Sequence, residues 1–144
     1  TFAGPTFQAP ARGANPNALG LCWASNPGDR TMHVYKSCQA EQLMRLGANG
    51  QANQQWISLQ NGEHAVQQRL GLTPAEGNWQ DTWRLLSRCK AVLSVDTAIA
   101  HLSAGSGLPV DLSLNSTHDW RWKRATPSDP LWYPHLIKVV KLPT

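Results

Sequence analysis

At 144 residues the chain suits a single domain with a real hydrophobic core. Its longest apolar runs are far too short to cross a bilayer and no secretory signal is visible, so the expected setting is cytoplasmic, without a membrane span. The net charge of +4 permits an anionic partner, but the basic residues are dispersed and form no long run, which argues against nucleic acid.

Taken in order, Thr1 to Asn17 is rich in Pro, Gly, Ala and Asn, without periodicity. It reads as an extended lead-in or the remnant of a linker, and a start at Thr1 rather than Met reads as a fragment or a processed form. Residues 18–144 are the expected domain. Ala18 to Ala24 is the first strand, ended by the turn chemistry of Ser25-Asn26-Pro27-Gly28. Asp29 to Lys36 is a polar loop. Ser37 is the expected cap of a helix running to about Leu46, stopped by Gly47-Ala48-Asn49-Gly50. Gln54 to Leu59 is the second strand, Gln60 to Glu63 its turn, and His64 to Leu70 a short helix. After a loop over Gly71 to Gly77, Asp81 is the expected cap of a helix from Thr82 to Lys90. There Trp83, Leu86 and Cys89 recur at helical spacing.

The organising stretch follows. Ala91-Val92-Leu93-Ser94-Val95 is a buried-strand run. Asp96-Thr97 breaks it with two good capping residues. Ala98 to Ser106 is a helix of small residues, Gly107 suits its C-terminal end, and Pro109 forbids more helix. Val110 to Leu114 is the next strand. Strand, turn, helix, strand predicts a βαβ unit with parallel strands. Beyond it, Asp119 to Arg124 reads as the start of a short helix, Thr126 to Pro130 as loop, and Leu136 to Leu142 as a last strand. Alternating strands and helices predict an α/β domain, a doubly wound and mostly parallel sheet between helical layers.

Such sheets bind ligands beyond the C-terminal ends of their strands. That places Ser25-Asn26-Pro27, Gln60-Asn61-Gly62, Asp96-Thr97-Ala98 and the segment from Asn115 to Trp122 on one side. The start of the Ala98 helix offers backbone N–H groups and a positive dipole end, which suit phosphate. Thr97 adds a hydroxyl, and His101 shares its helix face. Lys36 is a basic side chain near the first turn, with Arg30 its competitor. Asn26 and Gln60 can bond hydroxyls of a ribose, base or sugar, or simply close turns. Trp120, Arg121 and Trp122 can stack on a ring and grip an anion, or pack the C-terminal segment onto the sheet. The three cysteines, Cys22, Cys38 and Cys89, show no paired spacing and read as free thiols. The histidines show no metal-ligand spacing with them, so neither metal nor cofactor is implied.

Several stretches resemble one known group. Ser94 to Val110 is similar to the D-T-A-x-A-H-L-A-G-A-x-G-x-P-V motif of glycosyltransferase-like proteins. These are bacterial proteins, often fused to tetratricopeptide repeats. They are related to the heptosyltransferases and, distantly, to O-linked N-acetylglucosamine transferase. Gly20 to Pro27 resembles the group's G-L-V-W-x-G-N-P segment, and Trp56 to Gly62 its F-x-S-L-Q-x-G segment. Asp119-Trp120-Arg121-Trp122 with Leu131 to Pro134 resembles its D-W-R-W and S-P-W-Y-P segments. The matches come in the group's order. The resemblance implies the C-terminal half of a GT-B glycosyltransferase, binding a nucleotide sugar. Thr97 and the Ala98 amide would hold the diphosphate, Asp96 would shape the turn, and His101 would orient it or touch the ligand. An acceptor domain, N-terminal to this one, would carry the catalytic base, so the chain by itself would bind without catalysing. The alternatives are a degenerate, non-catalytic ligand- or protein-binding module of the same fold and, more weakly, a basic nucleic-acid-binding domain. The chain departs from the group at Asp111-Leu112-Ser113-Leu114-Asn115, where relatives have an apolar run ending in proline. It departs again at Ser25, where they prefer glycine.

Overall fold

A computed structural model of the chain describes residues 17–25, 37–48, 53–73, 78–95, 97–113 and 137–140. The lead-in, the Asn26 to Lys36 segment and the segment from Leu114 to Leu136 lie outside them, as do the expected Asp119 helix start and the Thr126 loop. The described elements are β1 (Ala18–Cys22), α1 (Ala40–Ala48), β2 (Trp56–Ser58), α2 (His64–Arg69) and α3 (Trp79–Leu86). They continue with β3 (Cys89–Val95), α4 (Ala98–Gly105), β4 (Val110–Ser113) and β5 (Ile137–Val140). The strands form one sheet in the order β2-β1-β3-β4-β5, and every neighbouring pair is parallel. This is an α/β fold compatible with a Rossmann-like sheet.

The central strands explain the order. All of β1 is buried, and so are Val92 to Val95 of β3. A strand covered on both faces reads as a continuous apolar run, which is how Ala18-Leu19-Gly20-Leu21-Cys22 reads. Neighbouring residues on a strand point to opposite faces. Accordingly Leu19, Leu21 and Leu93 join one core with Leu43 of α1 and Val66 of α2. Ala18, Val92, Val110 and Leu112 join the other, with Leu86 of α3 and Ala100 and Ala104 of α4. The handedness of crossovers requires this division. From β1 the chain steps one way to β2, and from β3 it steps the other way to β4. Right-handed connections in opposite directions must lie on opposite faces.

Two glycines make the close approaches possible. A Cβ on Gly20 would lie 2.7 Å from Leu59 Cδ1 and 3.2 Å from the Cys89 sulfur. One on Gly47 would lie 3.0 Å from both Leu19 and Trp56 side-chain atoms, so α1 sits tightly on the sheet.

The structure corrects three expectations about helix ends. Ser37 does not cap α1: its hydroxyl accepts the Ser25 N–H at 3.1 Å and ties the returning chain to the end of β1. The Gln42 side chain instead reaches back to the Gln39 N–H at 3.1 Å, the N3-to-N-cap half of a capping box. Asp81 is not the cap of α3. Asn78 is, accepting the Asp81 N–H at 2.8 Å, and the helix opens at Trp79. Finally, Cys89 is not on a helix. The helix stops at Leu86, and Cys89 is the first residue of β3, paired with Ala18.

At the other end of the organising unit, α4 closes one residue earlier than expected. Gly107 takes a left-handed φ of 91°. Its N–H reaches Ala104 O at 2.9 Å and the Leu108 N–H reaches Ser103 O at 3.0 Å, which together form a Schellman motif. Pro109 then leads into β4, and the expected parallel pairing of β3 and β4 is present, with Val92 opposite Val110. No described helix is long and apolar enough to cross a membrane.

Candidate functional site

The strand order reverses between β1 and β3: β2 lies on one side of β1 and β4 on the far side of β3. The crevice beyond the C-terminal ends of these two strands is the topological switch point, where open parallel sheets bind ligands. The Thr97 turn and the start of α4 occupy that point, directly after β3.

Thr97 is the N-cap of α4, with extended backbone (φ −142°, ψ 171°), yet its side chain makes no capping bond. Its hydroxyl turns back to the strand ends. It lies 3.4 Å from Val95 O, 3.3 Å from Ser94 Oγ and 3.6 Å from the Cys22 sulfur. Ser94 donates to Val95 O at 2.7 Å. The first N–H groups of a helix lack the usual intrahelical acceptors, and here the threonine hydroxyl satisfies none of them, although the Ala100 N–H reaches the Thr97 carbonyl at 3.1 Å. Ala98, in that first turn, is exposed, and His101 is half-buried one turn on.

Gln60 follows β2 and has a different fate. It is 3% exposed. Its Oε1 accepts the N–H groups of Trp23 and Ala24, both at 3.0 Å, and its Nε2 donates to Ala24 O at 3.2 Å and Asn61 O at 3.0 Å. The Cys22 thiol donates to the same Oε1 at 3.6 Å. Both ends of the carboxamide are thus engaged inside the protein. Of the two roles open to it from sequence, Gln60 takes that of closing a turn.

Cys22 therefore stands between the end of β2 and the Thr97 turn. Burial pushes its thiol up from the ordinary range, while the hydrogen bonds from Thr97 and Ser94 pull the other way and do not offset it. At neutral pH it is a protonated thiol, able to donate. Cys38 is also pushed up, to about 12, first by burial and then by proximity to Cys22. Neither has the thiolate character of a nucleophile.

Sequence reasoning missed Cys22 and Ser94 as members of this cluster. A signal existed: each is a polar residue near the end of a buried strand, and the register pairs them. Asn26, Lys36, Asp96, Trp120 and Arg121 lie outside the described residues. A separate cleft of about 240 Å³ opens between α1 and α2, lined among others by Trp23, Cys38, Glu41 and Arg69. Among the described residues, none of Gln60, Thr97, Ala98 and His101 lines it. Glu41 and Arg69 form an ion pair at 3.2 Å there. Among the described residues no group of His, Cys, Asp and Glu is arranged to hold a metal ion.

Comparison with known proteins gave no match to a family model, to a curated protein or to a solved structure.

Proposed function

We propose that the chain is the donor-binding half of a glycosyltransferase, a doubly wound Rossmann-like domain of the kind that forms the C-terminal half of a GT-B enzyme. Its ligand is a nucleotide sugar. The diphosphate sits at the start of α4, and an acceptor domain outside this chain completes the enzyme. One observation carries the reading. The segment with the glycosyltransferase-like motif, Ser94 to Val110, is also the segment that places a helix N-terminus at the switch point of the sheet.

In this reading the anion is held mainly by backbone N–H groups of the first turn, Ala98 among them. The Thr97 hydroxyl stabilises the turn from behind, because it faces Val95, Ser94 and Cys22. His101 lies one turn along and borders the same ligand. Asn26, Lys36, Asp96, Trp120 and Arg121 are the remaining ligand contacts proposed for base, sugar and phosphate.

A thermal-shift screen with UDP, ADP and their sugar conjugates tests this. A ligand at one hundred times its Kd stabilises the native state by about 2.7 kcal/mol. For a domain of this size that raises Tm by roughly 5–10 °C. No shift with any nucleoside diphosphate overturns the reading. One observation favours the second reading, a non-catalytic module of the same fold. The Gln60 carboxamide, expected at the ligand, is consumed within the protein.

A further inference from the structure

The ends of β1, β2 and β3 are joined by side chains rather than by backbone alone. Gln60, after β2, clamps the Trp23 and Ala24 N–H groups after β1. Cys22, the last residue of β1, bridges from Gln60 Oε1 to Thr97 Oγ1, 3.6 Å on each side. Thr97 in turn touches Ser94 and Val95 O of β3. The chain of contacts is buried at Gln60, Cys22 and Ser94 and ends at the half-buried residue where α4 begins. Its middle member must carry a proton to donate to the Gln60 oxygen, and burial keeps the thiol protonated.

We infer that Cys22 and Gln60 are positioning residues, which hold the Thr97 turn and so fix the direction of the first N–H groups of α4. Neither contacts ligand. The inference rests on the donor-binding reading only for its consequence, the affinity for diphosphate; the mechanical part stands without it. Backbone donors select an anion by their fixed aim, so a turn free to rock binds less tightly, at unchanged charge. The sulfur is suited to the place. It is large enough to reach two partners from a strand end, and it is a weak donor and a weak acceptor at once.

The test uses the full chain and the variants Cys22→Val, which keeps bulk and removes the S–H, and Cys22→Ser, which keeps a donor. Cys22→Ala replaces the valine variant should that not fold. Amide hydrogen exchange is read at Ala100, whose N–H is bonded to the Thr97 carbonyl at 3.1 Å, and, as an internal reference, at Val110 to Ser113 of β4. Cys22→Val is expected to speed exchange in the α4 turn by about fivefold, the equivalent of one modest hydrogen bond, with β4 unchanged. UDP or ADP binding weakens by a similar factor of about five, and Cys22→Ser, whose donor sits on a shorter bond, restores part of both. Unchanged exchange at the α4 turn in Cys22→Val overturns the inference, and so does faster exchange that spreads equally to β4. Faster exchange at the turn alone upholds it, even when the parent binds neither nucleotide. That last result removes the donor-binding reading instead.

Discussion

Gln60 and Thr97 make an instructive pair. Each is a polar residue following the end of a strand, and each lies beyond the C-terminal strand ends, the side on which open parallel sheets bind ligands. Gln60 is 3% exposed and both ends of its amide are held by backbone and thiol. Thr97 is half-buried, and its hydroxyl turns inward while the helix start behind it is left uncapped by that side chain. The difference teaches that polarity at a strand end does not identify a ligand residue. What can face a ligand is whatever the inner hydrogen bonds leave over. At Gln60 that is nothing of the carboxamide, and at Thr97 it is the main chain.

The strongest way to break the comparison is to remove the clamp. Gln60→Leu leaves the Trp23 and Ala24 N–H groups buried with no acceptor. Each such orphan costs about 1–3 kcal/mol, so a loss of about 3 kcal/mol or more is expected in urea unfolding. A loss below about 1 kcal/mol would show that solvent reaches these groups, and Gln60 would return to the pool of ligand residues.

A smaller effect is expected at the far end of α4. Gly107 holds φ at 91°, and a Cβ there is strained. Gly107→Ala should cost about 1–2 kcal/mol by the same measurement. Because the Schellman turn lies a full helix away from Thr97, nucleotide affinity should stay near that of the parent. Affinity falling in step with stability would mean that α4 moves as one body and that its start is not independently held.

The smallest effect sharpens the role of the hydroxyl. Thr97→Val should cost about 1 kcal/mol, with Thr97→Ser recovering most of it. On the proposed donor-binding reading, an anchor behind the turn would contribute about fivefold to UDP or ADP affinity, and a direct phosphate ligand roughly ten- to hundredfold. Titration of the variant by calorimetry separates the two.

Much of the fold was legible in the sequence. The β3–α4–β4 unit could be read because buried strands, a small-residue helix, Gly107 and Pro109 each carry a local signal. Its parallel pairing followed from the crossover alone. What could not be read depends on distant partners. Asn78 and Asp81 are capping residues of equal quality, and the structure settles between them with the Asn78 side chain accepting the Asp81 N–H, so that the helix starts at Trp79. Cys89 fits a helical period, and its pairing with Ala18 draws it into β3 instead. At the site, the sequence marked the start of α4 correctly as a helix N-terminus. The use of Gln60 as a clamp depends on where β1 leaves the N–H groups of Trp23 and Ala24, and no local pattern encodes that.

The position of β1 also has a consequence for how the molecule is made. This strand lies inside the sheet, yet it comes first among the described strands. It pairs with β2 on one edge and with β3 on the other, so Leu19 must wait for Ala91 before its second ladder can close. Parallel pairing across such a distance is slow, because the intervening chain must be ordered before the contact rewards it. During synthesis Ala18 to Cys22 is therefore an apolar ribbon with one bare edge. The polypeptide is at its most prone to self-association between the emergence of β1 and that of β3, and a chain cut short before Val95 should collect in aggregates rather than fold.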